Sequence, residues 1–316
     1  MTTVEDSKTR KRRAAPKQPD ALRVLVATAG DDDSVGALWV ASALAAQRPA
    51  NVLALGVTSP FPHTFPSMFR VKAPLAIDEA SRLQMLGDVR ECVRDIPGSD
   101  QWEKAAMLGW PGDIVTAAAA SWKASLIAIG IGRHGALDRL FGTETAIAVM
   151  KHAKVPVIAV AASDRALPRH ACVAIDFTAA SLAAARVATS LMASGGKLSL
   201  VHACAFKGID ARPGDLVDLY RAGAKDKLDH AVAAIRRQSP ELTVEGAMID
   251  GSPEETILGF AAAERCDLIA LGGHEQSLID RVILGSVRTH VIRSARCSVL
   301  IAPPTPGDVT AWRTNR

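Results

Sequence analysis

The sequence has no Cys-x-x-Cys pair and no His-x-x-x-His pair. Its five cysteines, Cys92, Cys172, Cys204, Cys266 and Cys297, are widely spaced, and its eight histidines are scattered. A zinc or dithiol redox site therefore has no ligands at a usable spacing, and the cysteines read as buried thiols in a reducing compartment. No apolar run is long enough to span a bilayer, so no membrane partner is expected. Phosphate-binding signatures of the GxxxxGK[ST] and SGGxDS types are missing too, and no two carboxylates stand at an acid–base spacing. Those absences argue against an enzyme, and no catalytic residue is assigned.

What is present is a globular composition, 48% apolar and 22% charged, in a chain of 316 residues, long enough for two cores. The net charge of +4 is mostly local. Residues 1–20 hold six cations, among them Arg10, Lys11, Arg12 and Arg13, against three carboxylates, so the rest of the chain is nearly neutral. Without aromatic interleaving or apolar periodicity, this stretch reads as a solvated basic tail, and a nucleic-acid partner is not expected for the folded body. Nor does it read as a secretory signal, because no apolar stretch accompanies its cations. The body is expected in the cytoplasm.

Two segments repeat one layout. Residues 126–160 and 268–302 each run through an apolar strand, a glycine loop, an Asp-Arg pair, Gly-Thr or Gly-Ser, a helix and an apolar strand. A repeat of that size means that one fold is used twice. Around it, buried strands are expected at 22–30, 51–59, 103–108 and 155–161, with helices at 34–47, 77–93, 113–123 and about 144–152. The second half restarts with strands at 171–177, 197–205 and 242–249 and helices at 181–193, 215–238 and 253–266. Pro253 takes the favoured first helical position of the last of these. Alternation of this kind predicts parallel sheets with helices on both faces. The expected organisation is a tail at 1–20, a domain at 21–162, a linker at 163–170, a second domain at 171–304 and a tail at 305–316.

The order of features resembles the universal stress protein family: an aspartate turn after strand one, then a strand running into Gly-x2-Gly-x9-Gly-Ser, then a last apolar strand. The resemblance implies two tandem Rossmann-like domains of the adenine nucleotide alpha hydrolase-like type, each with a five-stranded parallel sheet. It also implies ATP or AMP at the carboxyl ends of the strands, where open α/β sheets bind their ligands. In the second half it carries over to Asp176, Thr178, Ala203, Gly272, Gly285, Ser286 and the adjoining Val287. Glycines let a backbone approach phosphates, and a helix start with a hydroxyl supplies donors. Whether magnesium accompanies the nucleotide stays open. Like domains of the family pair through their fifth strands, so 155–161 and 297–303 are expected to pair within the chain as a pseudo-dimer. A further homodimer stays open.

Each half departs from the family pattern. In the second, Phe177 replaces the glycine of Asp-Gly-Ser and Glu275 the second glycine of Gly-x2-Gly, setting a carboxylate beside any phosphate. In the first, Ala29 stands at the aspartate position, and Asp31, Asp32 and Asp33 add charge near the mouth. Three adjacent side chains cannot all face one ion, so the triplet reads as a solvated loop rather than a magnesium site. Gly130 and Gly142 lie twelve positions apart, against thirteen for Gly272 and Gly285. Asp176 and Ser286 also have plain readings, as a turn residue and a helix cap. Arg133, His134 and His274 either face a ligand or are ordinary loop residues, and the Asp138-Arg139 and Asp280-Arg281 pairs read as loop braces. Three readings remain: a regulatory nucleotide-binding protein with its better site in the second half, an interaction protein of the same fold, and an adenine-nucleotide hydrolase or ligase.

Overall fold

The computed structural model describes residues 21–59, 75–132, 138–206, 214–273 and 286–304. Both tails, the 60–74 segment and most of the two glycine loops, with Arg133, His134, Gly135, His274, Glu275, Asp280, Arg281 and Gly285, lie outside them.

The first half runs β1 Leu22–Thr28, α1 Val35–Gln47, β2 Ala50–Thr58, α2 Leu75–Cys92, β3 Glu103–Leu108, α3 Pro111–Trp122, β4 Leu126–Ile131, α4 Asp138–His152 and β5 Val157–Ala161. The second runs β6 His170–Ala174, α5 Ala179–Leu191, β7 Lys197–Cys204, α6 Leu216–Gln238, β8 Thr243–Asp250, α7 Pro253–Ala263, β9 Leu268–Gly272, α8 Ser286–Ser294 and β10 Ser298–Ala302. Each set of five strands is parallel, in the orders β3-β2-β1-β4-β5 and β8-β7-β6-β9-β10. Strands β5 and β10 pair antiparallel, Ala159 opposite Val299, and join the sets into one ten-stranded sheet. The fold is α/β.

Apolar runs such as LRVLVAT make central strands because both faces of the sheet are covered. Val24 and Val26 of β1 face a core that reaches α1, α2, α5 and α6, while Leu25 and Ala27 face one capped by α3 and α4. Helices α7 and α8 cover the same side in the second half. At the join, the buried Ser298 Oγ donates to Asp164 Oδ2 at 2.6 Å and accepts from the Ala161 N–H at 3.0 Å. The connecting segment thus satisfies a polar group that the strand pairing buries.

Most boundaries differ from the sequence expectation by one or two residues, and three differences matter. Helix α4 begins at Asp138, six residues early, so Gly142 and Thr143 lie inside it rather than at its start. Strand β6 stops at Ala174, so Asp176 and Phe177 belong to the following turn. Helix α7 ends at Ala263, with Arg265 left-handed at φ 53°, placing Cys266 beyond it. None of the five cysteines is bridged; Cys172, Cys204 and Cys266 are buried as expected, while Cys92 and Cys297 are only half-buried.

Candidate functional site

At the carboxyl end of β6 the chain turns through Asp176-Phe177-Thr178 into α5. Asp176 Oδ1 accepts from the Thr178 N–H at 3.0 Å and from Thr178 Oγ1 at 2.6 Å. The same hydroxyl caps α5 by accepting from the Ser181 N–H at 3.2 Å. Burial alone would push the Asp176 carboxyl up, but hydrogen bonds from Thr178 and Ser181 outweigh it and hold the group below the ordinary aspartate value. The turn sits directly on β9. A Cβ on Gly272 would lie 2.7 Å from Ser181 N and 2.8 Å from the Ala180 carbonyl carbon, so only glycine fits there.

Phe177 is left-handed, with φ 64°. Its ring leaves the mouth and packs over His202, with centroids 4.6 Å apart, while Lys227 Nζ of α6 lies 5.9 Å from the ring centroid. His202 is buried. Its Nδ1 lies 2.7 Å from the Ile175 carbonyl, which only accepts, so Nδ1 carries a hydrogen. Its Nε2 lies 2.9 Å from the Tyr220 hydroxyl, and Phe206 meets Tyr220 edge-on at 5.1 Å. This His–aromatic cluster was not evident from the sequence. Its only signal was the chain's single tyrosine, placed in the long amphipathic α6.

The first half makes the same turn from other residues. Gly30 is left-handed at φ 75°, where the second half has Phe177. Asp31 accepts from the Ser34 N–H at 3.2 Å and from Ser34 Oγ at 2.8 Å, matching the Thr178–Ser181 cap. Ala29 offers no carboxylate where Asp176 stands. The aspartate triplet is split: Asp31 caps, Asp32 is exposed, and Asp33 turns inward against Gly132. A Cβ on Gly132 would overlap both Asp33 carboxylate oxygens. Among the described residues no cluster of His, Cys, Asp or Glu could hold a metal ion.

Of the residues expected to bind, Asp176, Thr178 and Gly272 come together at one turn. Ala203 lies near the end of the adjacent β7, opposite Ile249 of β8. Ser286 opens α8, and the partly buried Val287 packs against the core under α7 and α8. Gly285 lies outside the described residues.

The universal stress protein family model matches residues 21–161 and again 168–303. The chain belongs to the universal stress protein family, in tandem form. A universal stress protein of Methanocaldococcus jannaschii is 30% identical over 79 residues, 24% of this chain and 46% of that protein. One of Mycobacterium bovis is 25% identical over 185 residues, 57% of this chain and 62% of the relative. The chain thus spans between about half and two thirds of these relatives' lengths. Among solved structures, a universal stress protein from Archaeoglobus fulgidus superposes with a TM-score of 0.63 at 19% identity, covering 90% of this chain and 97% of that one. That likeness shows the fold.

Proposed function

We propose that this universal stress protein binds an adenine nucleotide, ATP or AMP, as a regulatory ligand in its second half, at the carboxyl edge of β6, β7 and β9. The observation that carries the proposal is the Asp176–Thr178–Ser181 turn seated on Gly272, an ionised carboxylate and a capped helix start at the edge where open α/β sheets take ligands. Asp176 would contact ribose or base, Ala203 would offer backbone to adenine, and Gly285, Ser286 and Val287 would meet phosphates at the start of α8. The role is binding rather than turnover. Asp176 Oδ1 is tied into its own turn by Thr178, which suits a fixed recognition group better than a mobile base. The cytoplasm is the compartment that fits such a ligand.

Nucleotide released from purified, denatured protein, followed by titration of ATP and AMP into stripped protein, tests this. Bound nucleotide and a roughly tenfold or greater weakening in Asp176→Ala and in Ser286→Ala are expected, the range for losing a hydrogen bond to a charged group. No released nucleotide and no binding on titration would overturn it. A specific observation favours a second reading, an interaction protein. Leu216, Leu219 and Tyr220 at the start of α6 are 83%, 62% and 42% exposed beside the same edge. Binding of neither nucleotide would leave that reading standing.

A further inference from the structure

We infer that His202 is the positioning residue of the proposed nucleotide site: its ring holds the carbonyl before Asp176 and carries the side chain after it, which fixes where the carboxylate stands. The inference deepens the nucleotide reading and rests on it for the identity of the ligand. His202 stands on β7 opposite Ile175, one step beyond the paired Ala174 and Val201, and the Ile175 N–H donates to the Val201 carbonyl at 2.8 Å. From there Nδ1 donates to the Ile175 carbonyl at 2.7 Å, and the Phe177 ring lies on the imidazole with centroids 4.6 Å apart. Both chain neighbours of Asp176 are thus held by one buried ring. The ring is itself held. With Nδ1 the donor, the neutral imidazole keeps Nε2 as an acceptor, and the Tyr220 hydroxyl of α6 lies 2.9 Å from it. Ala203, the proposed adenine contact, is the next residue along β7.

The first half supplies the control. Thr28, opposite Gly56 in the β1–β2 register, precedes Ala29 as Ile175 precedes Asp176. Gly56 therefore stands where His202 does, and no ring fits there: a Cβ would lie 2.6 Å from both Met85 Cγ and Val89 Cγ2 of α2. The half without a carboxylate at position 29 has no imidazole beneath its turn. The half with Asp176 has both the imidazole and the tyrosine that fixes its tautomer. Packing alone does not call for this. An aliphatic side chain would fill the space between β7 and α6, as Met85 and Val89 do beside Gly56, whereas a buried histidine brings two polar nitrogens that both need partners. What those partners achieve is a fixed turn, and a recognition group already held in place avoids the cost of ordering it on binding.

Calorimetric titration with AMP and a ligand-free carbon-13 titration of the Asp176 carboxyl, both on the full chain, test the assignment. His202→Phe keeps an aromatic ring against Phe177 and removes the donor, while His202→Asn restores an N–H near the Nδ1 position. His202→Phe is expected to weaken AMP binding by about tenfold and to bring the Asp176 carboxyl up toward the ordinary aspartate value. His202→Asn is expected to stay within about threefold of the wild type and to keep the carboxyl low, because it keeps the hydrogen bond. Equal losses in the two variants would mean that the ring acts by packing and would overturn the assignment, as would an unchanged carboxyl in His202→Phe. Nitrogen-15 NMR of the wild type adds an arm that needs no variant: a ring carrying its hydrogen on Nδ1 is expected, and one protonated on Nε2 alone has no donor for Ile175 and overturns the assignment. The two readings fail separately. If AMP binds neither wild type nor variants while the carboxyl responds as stated, the nucleotide reading falls and His202 still positions the turn. If AMP binds all three proteins equally, the nucleotide reading stands and the assignment of His202 falls.

Discussion

The two halves build one turn from different chemistry. Gly30 and Phe177 occupy corresponding positions with φ 75° and 64°, so the left-handed residue is demanded by the fold rather than by the amino acid present. Glycine adopts it freely, while for phenylalanine it costs about 1–2 kcal/mol. Lost freedom at one half's turn is offset by packing: Phe177 covers His202, whereas at Gly30 α2 closes in until an added Cβ would lie 2.7 Å from Asp88 Cβ. The lesson concerns how a duplicated site diverges. The second half retains the carboxylate and holds the turn with a wedge, while the first retains the glycine and carries its carboxylate two residues past the Asp31 cap, against the strand end.

The largest effect that would sharpen the contrast is at α1. Gly36 corresponds to Ala183 of α5, which is buried at 3% exposure. Yet a Cβ on Gly36 would overlap the Ala161 carbonyl oxygen and lie 3.2 Å from Ala162 Cα, both backbone atoms that cannot swing aside. Gly36→Ala is expected to destabilise the protein by about 3 kcal/mol in urea unfolding, the upper part of the range for overpacking. A loss under about 0.5 kcal/mol would mean that α1 can shift outward, and that the halves pack less differently than the glycine implies.

The duplication was legible because its signal is periodic and repeated. Buried parallel strands read as apolar runs, Pro253 marks the start of α7, and the same glycine–helix–strand sequence occurs twice. The start of α4 was not legible, because Gly142 and Thr143 imitate a helix-start motif while Asp138 opens the helix six residues earlier. Asp176, Thr178 and Gly272 could be named from a family pattern since they adjoin a strand end in sequence. The contact of Asp33 with Gly132, and the Phe177–His202–Tyr220 cluster, join residues from separate elements, and only tertiary packing brings them together.

A middle-sized effect tests the wedge. Phe177→Ala would lose the ring contact with His202 while retaining the left-handed strain, whereas Phe177→Gly would lose the same contact and release it. Both variants should be less stable than the wild type. The glycine variant should be the more stable of the two by about 1 kcal/mol, reversing the usual order of alanine over glycine. If alanine proves better, the turn has relaxed out of the left-handed region and the match with Gly30 is broken.

The smallest effect distinguishes the halves by pH. Asp176 is held below the ordinary aspartate value by its hydrogen bonds with Thr178 and Ser181, burial notwithstanding, and the first half has Ala29 in its place. A carboxyl whose folded value is depressed contributes stability that is present above its unfolded value, about 3.9, and is lost as pH falls through the folded value. Asp176→Asn should therefore flatten the loss of stability on acidification below about pH 4, while Ala29→Asp should leave the acid limb steeper only if the first-half turn can donate in the same way. That turn differs in its donors. Ser34 Oγ already gives its hydrogen to Asp31 Oδ1, and the Gly30 N–H is taken by Thr28 Oγ1 at 2.9 Å, so a new carboxylate at position 29 would find fewer partners than Asp176 does. Ala29→Asp is thus expected to change the acid limb less than Asp176→Asn. Equal and opposite changes would mean that the two turns supply the same donors and that their divergence lies in the carboxylates alone.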